Sequence, residues 1–144
     1  MADYFPDIKT LIPQGPPFIM VDRLLESNGT LTRTSFRITG DNPLTTNSRF
    51  GMAGLIENMA QTAAAGAGFA ALAAGGVVHD GAARSGAIVA INNLEITRLP
   101  ELGEELTTEI TVTARVADIV VISGRITCGP SVIATGELKI LTGV

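Results

Sequence analysis

The sequence predicts an α+β domain in which one long antiparallel sheet packs against a single helix. Three observations carry that expectation. An alanine-rich run over 52–74 is poor in β-branched residues and too long for a strand. From residue 87 onward, segments alternating polar and apolar residues follow one another across short turns. Ahead of the run, Asn28 and Gly29 join two further strand-like segments in a strong hairpin signal. At 144 residues, the whole chain (1–144) reads as one domain with one core.

In chain order, DIKTLI at 7–12 has the length of one helical turn and is stopped by Pro13. QGPP at 14–17 is a rigid turn, because two prolines fix φ and supply no N–H. FIMVDRLLES at 18–27 reads as an apolar strand. In TRTSFRITG, Thr34, Phe36 and Ile38 alternate with Arg33, Ser35 and Arg37, as in a half-buried strand. DNPLTTNSRFG at 41–51 is a polar loop. The helix of 52–74 would be roughly 30 Å long, and alanine on nearly every face predicts burial all round. A glycine-rich loop covers 75–86. AIVAINNLEI at 87–96 is a strand buried on both faces or at an interface. TEITVTARV, DIVVISGRITCG and SVIATGELKILTG complete the sheet, the last two parted by Gly129 and Pro130. Short connections make these strands antiparallel neighbours.

Composition removes several function classes. A net charge of −4 argues against nucleic-acid binding, which needs clustered Lys and Arg. One cysteine, Cys128, excludes an internal disulfide framework. With only one histidine there is no metal-ligand cluster, so neither metal nor cofactor is expected. The opening MADYFPDIKT has two aspartates and no apolar core, so it does not read as a secretory signal, and a cytoplasmic location is expected. The stretch 50–78 is long enough to span a membrane, yet its apolar residues are small and Glu57, Asn58 and Gln61 crowd one end. GAGFAA at 66–71 imitates a dinucleotide fingerprint but lies inside the helix instead of after a strand. Cys128, at a hairpin turn with no histidine beside it, is not a nucleophile.

Four blocks of sequence carry a resemblance. IKTLIPQGPPFIMVDRLLE, ENMAQ at 57–61, TRLPELGEEL at 97–106 and CGPSVIATGEL at 128–138 occur in the order and spacing of a known family. The chain resembles the hot-dog-fold 3-hydroxyacyl-(acyl carrier protein) dehydratases over nearly its whole length. The resemblance implies a curved antiparallel sheet wrapped around one long helix, and a dimer joined edge to edge through the 87–96 strand. One departure is plain. The family's histidine-bearing loop before the helix is here DNPLTTNSRFGMAG, and a second family histidine is replaced by Gln14. The lone histidine, His79, lies past the far end of the helix, about 25 Å from Glu57 at 1.5 Å per residue, and reads as a loop residue.

The residues themselves draw attention to Glu57, the one formal charge between Phe50 and Val78. A carboxyl in an apolar setting has a raised pKa, which suits a group that gives and takes a proton near neutrality. Its competing reading is a helix-start carboxylate that serves only the dipole or a cap. The resemblance favours the first: Glu57 matches the family's acidic residue, and Gln61, one turn later, would orient it. Gly51 and Gly54 flank the helix start, where close ligand approach is possible, and the family's oxyanion donor falls near Met52. Asn47, Ser48 and Asn58 are candidates to position a water or the substrate. Arg98, by resemblance near the rim, with Arg49 and Arg84, would dock acidic acyl carrier protein. The expected function is dehydration of 3-hydroxyacyl thioesters in fatty-acid or polyketide-type lipid synthesis, by a homodimer or higher oligomer or a heteromer with a related subunit. The alternatives are a non-catalytic acyl-binding partner subunit and an acyl thioesterase.

Overall fold

The computed structural model describes residues 5–75 and 86–143. A 3-10 turn, Ile8–Thr10, is capped by the Asp7 carboxylate, which accepts the Lys9 N–H at 3.0 Å. The strands are β1 (Arg23–Ser27), β2 (Leu31–Arg37), β3 (Thr45–Thr46), β4 (Arg49–Phe50), β5 (Gly86–Ile96), β6 (Glu105–Val116), β7 (Ile119–Cys128) and β8 (Ser131–Thr142). The one α-helix among the described residues, α1, runs Met52–Ala73. Six strands form an antiparallel sheet in the order β1-β2-β6-β7-β8-β5, while β3 and β4 pair separately. The helix lies against the concave face of the sheet, which is the hot-dog arrangement.

Hairpin chemistry explains the turns. Asn28 Oδ1 accepts the N–H groups of Thr30 and Leu31, and Gly29 follows at φ 90°, where a side chain would be strained. Inward residues of the sheet meet α1 and build the main core, with Phe36, Leu106, Ile110, Ile122 and Ile126 around Leu55 and Met59. A second apolar cluster sits between the helix and the N-terminal segment, where Leu11, Ile12 and Val21 pack on Ala65. Gly68 is what lets that segment close on the helix, since a Cβ there would overlap the Leu11 carbonyl.

Five expectations need correction. Residues 18–22 do not extend β1, because helix side chains bind part of their backbone (below) and Asp22 alone reaches the sheet, donating to Ser35 O at 2.8 Å. The 41–51 loop holds the small β3–β4 hairpin. β5 does not neighbour β6; the 97–104 connection carries the chain across, and β5 occupies the free side of β8 at the sheet edge. The helix is not buried all round, since Met52 (55 % exposed) and Leu72 (36 %) face outward at its two ends. Nor is β5 covered in this single chain, where Ile88, Val89 and Ile91 are exposed. Among the described residues no helix is long and apolar enough to cross a membrane.

Candidate functional site

A groove of about 370 Å³ separates α1 from the sheet. Its helix wall is Glu57, Ala60, Ala63, Ala64, Ala67 and Ala70, the 3–4 residue spacing of one helical face. Its sheet wall is Ile110, Val112, Val120, Ile122 and Ile140. The space exists because the helix presents methyl groups where larger side chains would fill it. Among the described residues, Glu57 is the only acidic one in the lining.

Glu57 lies past the first turn of α1, and the helix N-cap, Gly51, makes no side-chain cap bond. The capping reading of Glu57 therefore fails, and its carboxyl is free for the groove. Burial pushes its pKa above the ordinary carboxylate value, and a hydrogen bond from Gln61 offsets part of the rise. Gln61 is itself fully buried: Oε1 accepts Met20 N–H at 2.7 Å and Nε2 donates to Phe18 O at 2.8 Å. These two bonds fix the amide orientation and leave a second Nε2–H for Glu57. Glu57 and Gln61, both singled out in the sequence, lie one helical turn apart, and the N-terminal segment anchors Gln61.

At the helix start, Gly51 has φ −77° and ψ 171°. A Cβ there would meet nothing closer than the Leu44 carbonyl at 3.5 Å. With no side-chain cap, the first-turn N–H groups at Met52 to Gly54 are bonded to no side chain, and Met52 is exposed. That is the geometry of an anion-stabilising helix terminus. Gly54 has a different reason: a Cβ would overlap the Phe50 ring, so this glycine serves packing and not ligand approach.

Asn58 is a buried strut. Its Nδ2 donates to Met20 O at 2.7 Å and its Oδ1 accepts from Thr108, so its amide faces the core and not the groove. Asn47 and Ser48, at φ 54° and 63°, form the two-residue turn of the β3–β4 hairpin. They line a separate shallow pocket with Arg49, Glu101 and Leu102, apart from Glu57. Arg98 is held bidentately by Glu104 at 2.8 and 3.0 Å, and Arg49 approaches Glu101 at 4.0 Å. His79 and Arg84 lie outside the described residues. Cys128 donates its thiol to Glu104 at 3.0 Å, and burial, helped by that carboxylate, raises its pKa, so it stays a neutral thiol.

Sequence reasoning missed three parts of the groove. The alanines of the wall looked like generic helix formers, Arg115 looked like an alternating surface residue, and Gln14 registered only as standing where the family has histidine. All of them line the groove.

No curated protein matches the chain by sequence. Among solved structures, the dehydratase heterocomplex ApeI:P from Xenorhabdus doucetiae has a chain that superposes with TM-score 0.87, covering 96% of this chain and 92% of that one at 14% identity. An HP0420 homologue from Helicobacter felis gives 0.67 over 99% and 92% at 12% identity. A hypothetical thioesterase with coenzyme A from Streptococcus pneumoniae TIGR4 gives 0.60 over 83% and 84% at 9% identity. At such identities the likeness is one of fold. The sequence itself sets the family: residues 6–143 match the model described as ApeP-like, ApeP dehydratase, and the chain belongs to that family of hot-dog dehydratases.

Proposed function

We propose that the chain is a subunit of an assembly that dehydrates 3-hydroxyacyl thioesters carried on acyl carrier protein. The observation that carries this reading is Glu57, a half-buried carboxyl of raised pKa at an apolar groove, oriented by the anchored amide of Gln61. In its protonated form Glu57 delivers a proton to the departing 3-hydroxyl. The free N–H groups of the helix start stabilise negative charge on the thioester oxygen. The acyl tail lies along the alanine wall.

The base that removes the α-proton comes from a related partner subunit. Two observations support this: the loop before the helix, DNPLTTNSRFGMAG, carries no histidine, and the Xenorhabdus doucetiae structure is a heterocomplex. The exposed edge strand β5, with Ile88, Val89 and Ile91, suits pairing with the edge strand of a second hot-dog chain. The test follows 3-hydroxyacyl and enoyl forms of acyl carrier protein by mass spectrometry, with the chain alone and with a histidine-bearing hot-dog partner. Loss of one water only in the pair, abolished by Glu57→Gln, is the expected result. Release of free acid would make the protein a thioesterase instead, and turnover unchanged in Glu57→Gln would remove Glu57 from the chemistry.

A further inference from the structure

Two enclosed side-chain polar atoms have no hydrogen-bond partner among the described residues, Gln14 Oε1 and Thr45 Oγ1. Thr45 belongs to the β3–β4 hairpin and does not line the groove. Gln14 does, together with Glu57. A buried amide oxygen left unbonded is rare and costs stability, so its partner is to be sought in whatever occupies the space beside it.

No described residue donates to Gln14 Oε1. Pro13 has no N–H, and the Phe18 N–H is spent on the Gly15 carbonyl at 3.0 Å, which closes the turn. The helix face across the groove carries only methyl groups at Ala60, Ala63 and Ala64. The nearby Gln61 amide is committed to Phe18, Met20 and Glu57. Glu57 can only accept when ionised, and when protonated its one hydrogen is the proton that the reading above delivers to the departing hydroxyl. A ligand whose apolar body suits the alanine wall and which carries an O–H or N–H near Glu57 would supply that donor.

We propose that Gln14 Oε1 accepts a hydrogen bond from the 3-hydroxyl of a 3-hydroxyacyl chain in the groove, an inference that rests on the acyl-thioester reading above. A hydroxyl has one hydrogen and two lone pairs. Giving its hydrogen to Gln14 leaves a lone pair turned toward Glu57. The Glu57 proton then passes to the hydroxyl oxygen as the carbon–oxygen bond breaks. The α-proton goes to the base, its bonding pair becomes the carbon–carbon double bond, and water leaves. Gln14 is neutral at every pH, so it orients the hydroxyl without competing for the proton.

The test measures binding of 3-hydroxyoctanoyl-pantetheine and octanoyl-pantetheine to the full chain and to Gln14→Met, by calorimetry. Wild type should favour the hydroxylated ligand roughly tenfold. Gln14→Met should lose that preference while binding octanoyl-pantetheine as wild type does. As a readout on the unaltered protein, the Gln14 side-chain amide NMR signal should move with the hydroxylated ligand and not with the saturated one. An unchanged preference in the variant, or equal movement with both ligands, overturns the role of Gln14 and leaves the acyl groove standing. Binding of neither ligand overturns the acyl-groove reading and this inference with it.

Discussion

Gln61, one helical turn from Glu57, is pinned to the backbone at Phe18 and Met20, and its amide offsets part of the burial that raises the Glu57 pKa. The neighbour of the carboxyl is thereby fixed by a segment more than thirty residues earlier in the chain. That segment is in turn fixed by Asn58, which binds Met20 O. If the groove holds the proposed chemistry, substitutions that loosen the N-terminal segment from the helix should reduce turnover without touching the groove itself.

Glu57→Gln should cut dehydration in the active assembly by about a hundredfold or more. It should also change how stability varies with pH. The carboxyl is raised in the folded chain, so its contribution is fully present below the ordinary glutamate pKa and is lost as pH rises through the folded value. The melting temperature of wild type relative to Glu57→Gln should therefore fall as pH rises through that window. A difference that does not vary with pH would mean the carboxyl is not desolvated.

Gly51→Ser should separate stability from activity. The backbone at 51 suits a capping serine, whose Oγ would accept a first-turn N–H and add a few tenths of a kcal/mol. The same bond would take a donor away from the thioester oxygen and slow turnover by roughly tenfold or more. Chemical denaturation and the dehydration assay together check this; a variant equally active would show that the helix start does not touch substrate.

Gly54→Ala should destabilise by about 1–3 kcal/mol, because the added methyl meets the wholly buried Phe50 ring. Alanine is otherwise the better helix former by about 1 kcal/mol. A denaturation midpoint at or above that of wild type would therefore contradict the packing.

Glu104→Gln should flatten the acid limb of the stability profile. Arg98, the Cys128 thiol and the Glu101 N–H hold the Glu104 carboxyl at about 2, against an ordinary 4.5. Its contribution is present above about pH 4.5 and is lost as pH falls toward 2. The group is solvent-accessible, so the slope is shallow. Melting temperatures measured over that interval should show the slope in wild type and not in the variant.

The helix and the strand segments were legible because their patterns are local: alanine content for α1, period-two alternation for β6, and Asn28 with Gly29 for the first hairpin. Strand order was not. Nothing near β5 in the sequence says that it will cross to β8, because that choice is made by which edge is left free once β6, β7 and β8 have paired. Glu57 and Gln61 stood out as polar residues in an apolar run. Gln14 did not, since its meaning comes from a space formed by residues far along the chain. Asn58 looked like a site residue for the same reason that it is a core residue: a polar side chain in that run must find partners somewhere, and its partners turned out to be Met20 and Thr108.

On the convex face of the sheet, Glu26, Arg33, Glu109 and Arg125 form a ladder of alternating sign across β1, β2, β6 and β7. Arg33 stands opposite Glu109, and Glu109 opposite Arg125, in the strand register. A slip of one residue would turn apolar side chains to solvent and is rejected by the core. A slip of two keeps every side chain on its proper face, so the core does not detect it. The ladder does, because a β2 slipped by two along β6 would set Arg33 beside Thr107 or Thr111 and take it from Glu109. The outer charges thus act as an alignment key, above all for β2 and β6, which a long connection joins, and they guard the error that hydrophobic patterning leaves open.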